Sequence, residues 1–193
     1  MLRGICVAAV KLFYRCAFSL TVEGLENLPE TGSFVLCGNH KSNFDPPLVL
    51  AYCKRPISSL INAELFGSKL GAWFFKKIDC IPVKRGENDV KAVKRCLEVL
   101  KGGNGLLIFP QGTRLKTIDP ADFKPGAVPM AKKTDSPLVP FGINGDYKFR
   151  KKVKITFGKP VFKTEIESAM EAGGENFSET VFLAEKIKAL AEG

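Results

Sequence analysis

The single histidine of this 193-residue chain is the natural place to look for chemistry. His40 lies in the run Gly38-Asn39-His40-Lys41-Ser42-Asn43-Phe44-Asp45-Pro46-Pro47, directly after the apolar stretch Ser33 to Cys37, with an aspartate five positions on. In a regular helix, positions five apart point about 140° away from each other at 3.6 residues per turn, so helical geometry would not pair them. A tight turn could fold Asp45 back toward the imidazole. Asp45 also reads as the N-cap of the next helix, with Pro46 at its first position. A carboxylate that takes a hydrogen bond from one ring nitrogen leaves the other free to accept a proton. That is the logic of a catalytic triad reduced to two members, with the nucleophile supplied by the substrate. The bland alternative for an isolated H-x-x-x-x-D is a surface turn with a capping aspartate, and the rest of the sequence has to decide.

Disulfides and a metal site both have little support, and reduced, packed cysteines are the favoured reading. The six cysteines, Cys6, Cys16, Cys37, Cys53, Cys80 and Cys96, form no C-x-x-C pair and sit mostly in apolar stretches, as reduced, packed thiols do. One histidine and no ligand spacing leave no metal site to propose. The formal net charge of +9 favours an anionic partner: nucleic acid, an acidic lipid surface or a phosphorylated substrate.

The elements that would position the histidine alternate between short apolar strands and helices. Expected strands are Ser33 to Cys37, Ile57 to Ile61, Ile78 to Val83, Leu106 to Phe109, Leu138 to Gly142 and Val153 to Phe157. Expected helices are Pro46 to Cys53, Glu64 to Phe75, a clear amphipathic one capped by Asn88 or Asp89 with Val90, Val93, Leu97 and Leu100 on one face, and Ser178 to Glu192. The alternation predicts a single α/β domain, residues 23–193, with a central mixed or largely parallel sheet flanked by helices. Chemistry in such folds sits where strands end in loops. Ahead of it, residues 1–22 are apolar at helical spacing (Leu2, Ile5, Cys6, Ala9, Leu12, Phe13, Cys16, Leu20) and carry Arg3, Lys11 and Arg15 but no acidic residue. A membrane span would bury Lys11 and Arg15 at about 2.5–3.5 kcal/mol each, and no small-residue cleavage site marks a secretory signal. An amphipathic helix lying in a membrane interface fits better; a helix packed on its own domain is the alternative.

The run N-H-K-S-N-F-D-P resembles the first motif, N-H-x-S-x-x-D, of the glycerolipid acyltransferases, the PlsC-like 1-acyl-sn-glycerol-3-phosphate acyltransferase family. Three further segments resemble its later motifs in order: Ile78-Asp79-Cys80-Ile81-Pro82-Val83-Lys84-Arg85-Gly86, then Phe109-Pro110-Gln111-Gly112-Thr113-Arg114, then Val139-Pro140-Phe141-Gly142. Val22 to Pro29 also looks like the family's lead-in.

The resemblance implies transfer of a fatty acyl group from acyl-CoA or acyl carrier protein to the free hydroxyl of lysophosphatidic acid, in phospholipid biosynthesis. It implies a peripheral or monotopic enzyme on the cytoplasmic face of a membrane, with no cofactor beyond the donor substrate. By the same resemblance His40 is the base and Asp45 orients it. Arg114, whose planar and permanently charged fork of donors suits phosphate, would bind the acceptor. Gln111, Gly112, Thr113, Asn39 and Ser42 join it as substrate-binding candidates. Lys84 and Arg85 could serve a headgroup or the donor's phosphates, or simply be solvated. Pro140 and Gly142 read as shaping residues.

Gln111 departs from the family pattern, which has glutamate there. An amide is neutral and donates as well as accepts, so it could hold an acceptor glycerol or position Arg114 only in part. A natural variant with weakened or altered acceptor use, a deliberate near-isosteric Glu→Gln substitution and a tolerated difference are the open explanations. Asn62 is a lesser departure, at a position where the family often carries lysine.

Two rivals share these residues: a non-catalytic protein that binds anionic lipid, and a thioesterase using the same base with water. Another lysophospholipid acceptor is a third variant. The basic stretch Lys148 to Lys154 suits an anionic membrane or the donor at about 1 kcal/mol per basic residue, or a solvated strand edge. No recognisable nucleic-acid module or set of stacking aromatics accompanies it.

Overall fold

The computed structural model describes residues 2–84, 89–175 and 177–193. Seven strands form one sheet: β1 (Ser19–Glu23), β2 (Phe34–Gly38), β3 (Ile57–Asn62), β4 (Cys80–Val83), β5 (Gly105–Ile108), β6 (Leu138–Gly145) and β7 (Lys152–Phe157). Their order is β1-β7-β6-β2-β5-β3-β4, and every pairing is parallel except β6 with β7. The α/β architecture with a mostly parallel mixed sheet is therefore the one the alternation predicts. β2 and β5 are buried on both faces, which is why they read as unbroken apolar runs rather than alternating ones.

The helices are α1 (Leu2–Ala17), α2 (Asp45–Tyr52), α3 (Lys69–Lys77), α4 (Val90–Lys101), α5 (Ala127–Lys133), α6 (Lys163–Ala172) and α7 (Glu179–Glu192). They cover both faces of the sheet. One layer of core gathers Val35, Leu106 and Leu138 with Cys96, Val99 and Leu100 of α4 and Phe182, Leu183 and Ile187 of α7. The other gathers Leu36, Leu107, Val139 and Ile155 with Leu48 and Val49 of α2 and Tyr14 and Phe18 at the end of α1.

Several sequence expectations need correction. The N-terminal helix does not reach residue 22: it ends at Ala17, whose carbonyl accepts the Arg150 amide at 2.7 Å, and Ser19–Glu23 turns into an edge strand on β7. Helix α1 docks on its own domain through Val10, Tyr14 and Ala17 while Leu12 and Phe13 stay exposed. Glu64 to Phe75 is not one helix. A 3-10 turn over Ala63–Phe66, with the Glu64 amide donating to the Asn62 side chain, gives way at Gly67 to α3. The buried stripe of α4 is Ala92, Cys96, Val99 and Leu100, about 100° around the axis from the expected one. Small side chains at 92 and 96 let this helix lie close to the sheet, and Val90 and Val93 are left exposed. Asp89 caps it by accepting the Ala92 amide at 3.0 Å; Asn88 lies outside the described residues. Strand β1 and helices α5 and α6 had no expected counterpart.

Gly142, inside β6, answers to packing. A Cβ there would sit 2.3 Å from the Ala191 amide nitrogen, so only glycine lets α7 come down on the strand.

Candidate active site

Strands β2, β3, β4, β5 and β6 run the same way, so their C-terminal ends share one edge of the sheet. His40 leaves the end of β2, the segment Phe109 to Thr117 leaves its neighbour β5, and Gly145 to Tyr147 leaves its other neighbour β6. Sequence-distant loops thus meet in the kind of crevice where open α/β sheets bind ligands.

The turn after β2 brings His40 and Asp45 together. The Asp45 amide bonds the Ser42 carbonyl at 3.1 Å, closing a tight turn. The Asp45 carboxylate does not cap α2 in the forward direction as expected. Pro46 and Pro47 follow it and have no N–H to give, and the Leu48 amide is taken by the Phe44 carbonyl. The carboxylate folds back instead. Its Oδ2 accepts the Lys41 and Ser42 amides, both at 2.6 Å, and lies 2.8 Å from His40 Nδ1. Its Oδ1 accepts the Tyr147 hydroxyl at 2.7 Å. Asp45 is 0% exposed, so this set of donors is what keeps a carboxylate buried there.

The tautomer follows. An ionised carboxylate can only accept, so Nδ1 carries the proton and donates it to Oδ2, and Nε2 keeps its lone pair. Nε2 has no hydrogen-bond partner among the described residues. The Phe109 ring stacks on the imidazole at 4.3 Å between centroids, closing one face of it. Phe141 packs edge-on against Phe109, in room that Gly38 provides: a Cβ on Gly38 would fall 2.2 Å from the Phe141 ring.

The loop after β5 is laced to the loop after β2. The His40 amide donates to Gln111 Oε1 at 3.0 Å, the Leu115 amide donates to the His40 carbonyl at 2.8 Å, and Arg114 donates to Asn43 Oδ1 at 2.8 Å. Arg114 is exposed and stands beside the turn that carries Asp45. Gly112 takes a positive φ of 66°, and Thr113 is exposed next to it.

The structure places the other expected substrate contacts as follows. Gln111 is 2% exposed and its Nε2 donates to the Thr117 carbonyl at 2.9 Å, so both ends of the amide are spent inside the protein. Asn39 is buried too, exchanging two hydrogen bonds with the Ile143 backbone at 2.9 and 2.7 Å and so continuing the β2–β6 pairing past Gly38. Ser42 Oγ accepts the Phe44 amide at 3.2 Å, stiffening the turn. Lys84 follows the edge strand β4, three strands from β2 and so about 14 Å away along the sheet. Arg85 lies outside the described residues.

Three of the described thiols are kept protonated by burial. Burial pushes the Cys37 thiol up strongly, Cys96 to about 12 and Cys80 to about 11.

Sequence reading missed two contributors. Phe109 opens a motif, and nothing local marks it as a wall for the imidazole. Tyr147 lies 102 positions from Asp45, in a stretch notable only for its charge.

Comparison with known proteins identifies the family. A family model described as Acyltransferase matches residues 19–144. The 1-acyl-sn-glycerol-3-phosphate acyltransferase of Bacillus subtilis is 31% identical over 166 residues, 83% of this chain and 82% of that protein. The chain belongs to the acyltransferase family. The chloroplastic 1-acyl-sn-glycerol-3-phosphate acyltransferase LPAT1 of Arabidopsis thaliana is 33% identical over 131 residues, which are 66% of this acyltransferase chain and 36% of the plant protein. The chain spans about half, 52%, of the related chloroplastic BAT2 protein of Brassica napus. The crystal structure of the acyltransferase PlsC from Thermotoga maritima superimposes with a TM-score of 0.74 at 23% identity, covering 98% of this chain and 77% of that one, which establishes a shared fold.

Proposed function

We propose that this acyltransferase esterifies the free hydroxyl of lysophosphatidic acid with a fatty acyl group taken from a thioester, acyl-CoA or acyl carrier protein, to give phosphatidic acid. The observation that carries the reading is the 2.8 Å contact of His40 Nδ1 with a carboxylate already saturated by donors. It leaves Nε2 as the basic nitrogen at the sheet edge. Nε2 removes the proton of the acceptor hydroxyl as that oxygen attacks the thioester carbonyl. The tetrahedral intermediate collapses, the C–S bond breaks, and the proton on Nε2 passes to the departing thiolate. The thioester supplies the activated carbonyl, so the step calls for no metal, redox cofactor or acyl-enzyme.

Arg114 is the group for the acceptor phosphate: exposed, permanently charged and beside the His40 turn. Lys84, about 14 Å along the sheet, suits the donor's phosphates better than the acceptor's.

The same reading places the protein at the cytoplasmic surface of an anionic membrane. No helix among the described residues is long and apolar enough to cross a bilayer. Leu12, Phe13 and Phe44 are exposed, and Phe13 and Phe44 stack on each other. Beside them the loop at 146–151 carries Phe149, 71% exposed, among Lys148, Arg150 and Lys151. Apolar tips with basic neighbours suit a lipid headgroup layer, and docking there would bring the acceptor to His40 from the membrane side.

The test is formation of phosphatidic acid from labelled lysophosphatidic acid, with long-chain acyl-CoA and with acyl carrier protein as donors in separate reactions. Product with either donor supports the reading and identifies the donor. Product from another lysophospholipid alone would replace the acceptor, and no product with any of them would favour the non-catalytic lipid-binding rival.

A further inference from the structure

The dyad has a third member that the sequence does not announce. Asp45 presents its two oxygens to different parts of the protein. Oδ2 faces its own turn and takes Lys41 N–H, Ser42 N–H and His40 Nδ1–H, whereas Oδ1 has a single described donor, the Tyr147 hydroxyl at 2.7 Å. Tyr147 is delivered by the exit of β6. Gly145 there has a φ of 96° and lies so close to β7 that a Cβ would meet the Lys152 carbonyl oxygen at 2.0 Å. That tight turn fixes where the following residues fall, and the Gly145 carbonyl also accepts Lys41 Nζ at 3.2 Å. The Tyr147 ring is packed against Tyr14, Phe18 and Phe44.

We infer that Tyr147 is a positioning residue for the acyl-transfer base: its hydroxyl fixes the rotation of the Asp45 carboxylate and draws charge from it, and so sets both the aim and the basicity of His40. The inference rests on the reading of His40 as the base. Burial and the neighbouring Asp45 charge push the Tyr147 phenol well above its ordinary value, so it stays a donor throughout the range in which an imidazole titrates. The other titratable or charged groups around the pair are Tyr14 of α1, whose hydroxyl donates to the Phe44 carbonyl, Lys41, held by Gly145, and Arg114, held by Asn43. None of these three side chains is hydrogen-bonded to Asp45.

Because His40 is the sole histidine, nitrogen-15 histidine labelling of the intact protein reads this imidazole without ambiguity and without turnover. Removing the hydroxyl in Tyr147→Phe concentrates negative charge on Asp45, which favours the imidazolium. The imidazole signals should therefore change over at higher pH than in the parent. In turnover assays kcat should fall about tenfold with acceptor KM unchanged, the low end of what losing an outer hydrogen bond costs while the histidine's own carboxylate partner stays in place. The acid limb of the rate profile should move to higher pH by the same amount as the titration. Tyr14→Phe removes a hydroxyl from the same aromatic cluster that is bonded to the Phe44 carbonyl and not to Asp45, and should move the titration much less. An unmoved titration in Tyr147→Phe, or an equal shift in both variants, would overturn the inference, because packing and not the hydroxyl would then be responsible. A shifted titration in a protein that turns over no acyl donor would uphold the coupling and sink the acyltransferase reading instead.

Discussion

Changing Gln111 to the glutamate of the family pattern should make this protein less stable and no more active. The carboxylate could still accept the His40 amide, which lies 3.0 Å from Oε1. Its second oxygen would replace Nε2, 2.9 Å from the Thr117 carbonyl, so that a donor gives way to an acceptor at a site 2% exposed. The carboxyl escapes that clash by keeping its proton, which then restores the bond to Thr117. Holding a proton at pH 7 on a group whose ordinary pKa is about 4.3 costs about 3.7 kcal/mol, the ceiling for the penalty. Loss of one buried hydrogen bond with some relaxation of the loop puts the working figure near about 2 kcal/mol. The sign is set by the folded state holding the proton more tightly than the unfolded one. Parent and Gln111→Glu should match below about pH 4, and the variant should lose ground as pH rises through its raised folded pKa. Thermal unfolding followed at pH 4.5 and pH 8 should give near coincidence at the lower pH. At the higher pH the deficit should be about 4–8 °C for a chain of this size. A deficit independent of pH, or a Gln111→Glu protein as stable as the parent at pH 8 and faster in turnover, would refute the brace and return Gln111 to the substrate.

Three further outcomes can be checked. Arg114→Ala should raise the acceptor KM about tenfold with little change in kcat, since a surface phosphate contact is made equally in the ground and transition states; an unchanged KM would remove its role. Gly142→Ala should cost about 3 kcal/mol, or about 6–12 °C in Tm, because the added methyl meets helix backbone that cannot rotate away; an unshifted Tm would show that α7 gives way. Phe149→Ser combined with Lys148→Glu and Lys151→Glu should release the protein from phosphatidylglycerol vesicles while turnover of a water-soluble, short-chain lysophosphatidic acid stays unchanged; retained binding would locate the membrane contact elsewhere.

How much of this was legible in the sequence depends on the range of the interaction. The His40–Asp45 pair is a matter of one turn, and the residue types that close it, including two prolines that withhold their amides, lie within the same short run. The doubly buried strands β2 and β5 announced themselves as apolar runs beside glycine. Strand β1 did not, because Leu20 continues the helical spacing of α1; the backbone partners that take over where the helix ends, the Arg150 amide and the Lys151 carbonyl, are distant in sequence. Pro129 disguised α5, although a proline is tolerated in a first helical turn, where its missing N–H has no intrahelical partner. Helix α4 was recognised but turned about its axis, since Val90 and Val93 look like core residues until the small Ala92 and Cys96 are seen to set the approach. Gln111 and Asn39 could be read as polar motif residues but not as buried ones: His40, which holds Gln111 Oε1, and Ile143, which holds Asn39, come from other strands and loops, and Thr117 meets Gln111 only once the loop after β5 has folded back. Tyr147 belongs to the same class, a tertiary contact with no local signature.

The central claim is that His40, poised by Asp45, moves a proton from an acceptor hydroxyl so that a thioester is opened. Thiol release from a long-chain acyl-CoA, and from acyl carrier protein if CoA fails, should be measured with and without lysophosphatidic acid for the parent and for His40→Ala. The account predicts release that depends on the acceptor in the parent and is lost, by at least about three orders of magnitude, in His40→Ala. Release that proceeds equally without the lysolipid would mean water is the nucleophile, and undiminished release from His40→Ala would contradict the account at its base.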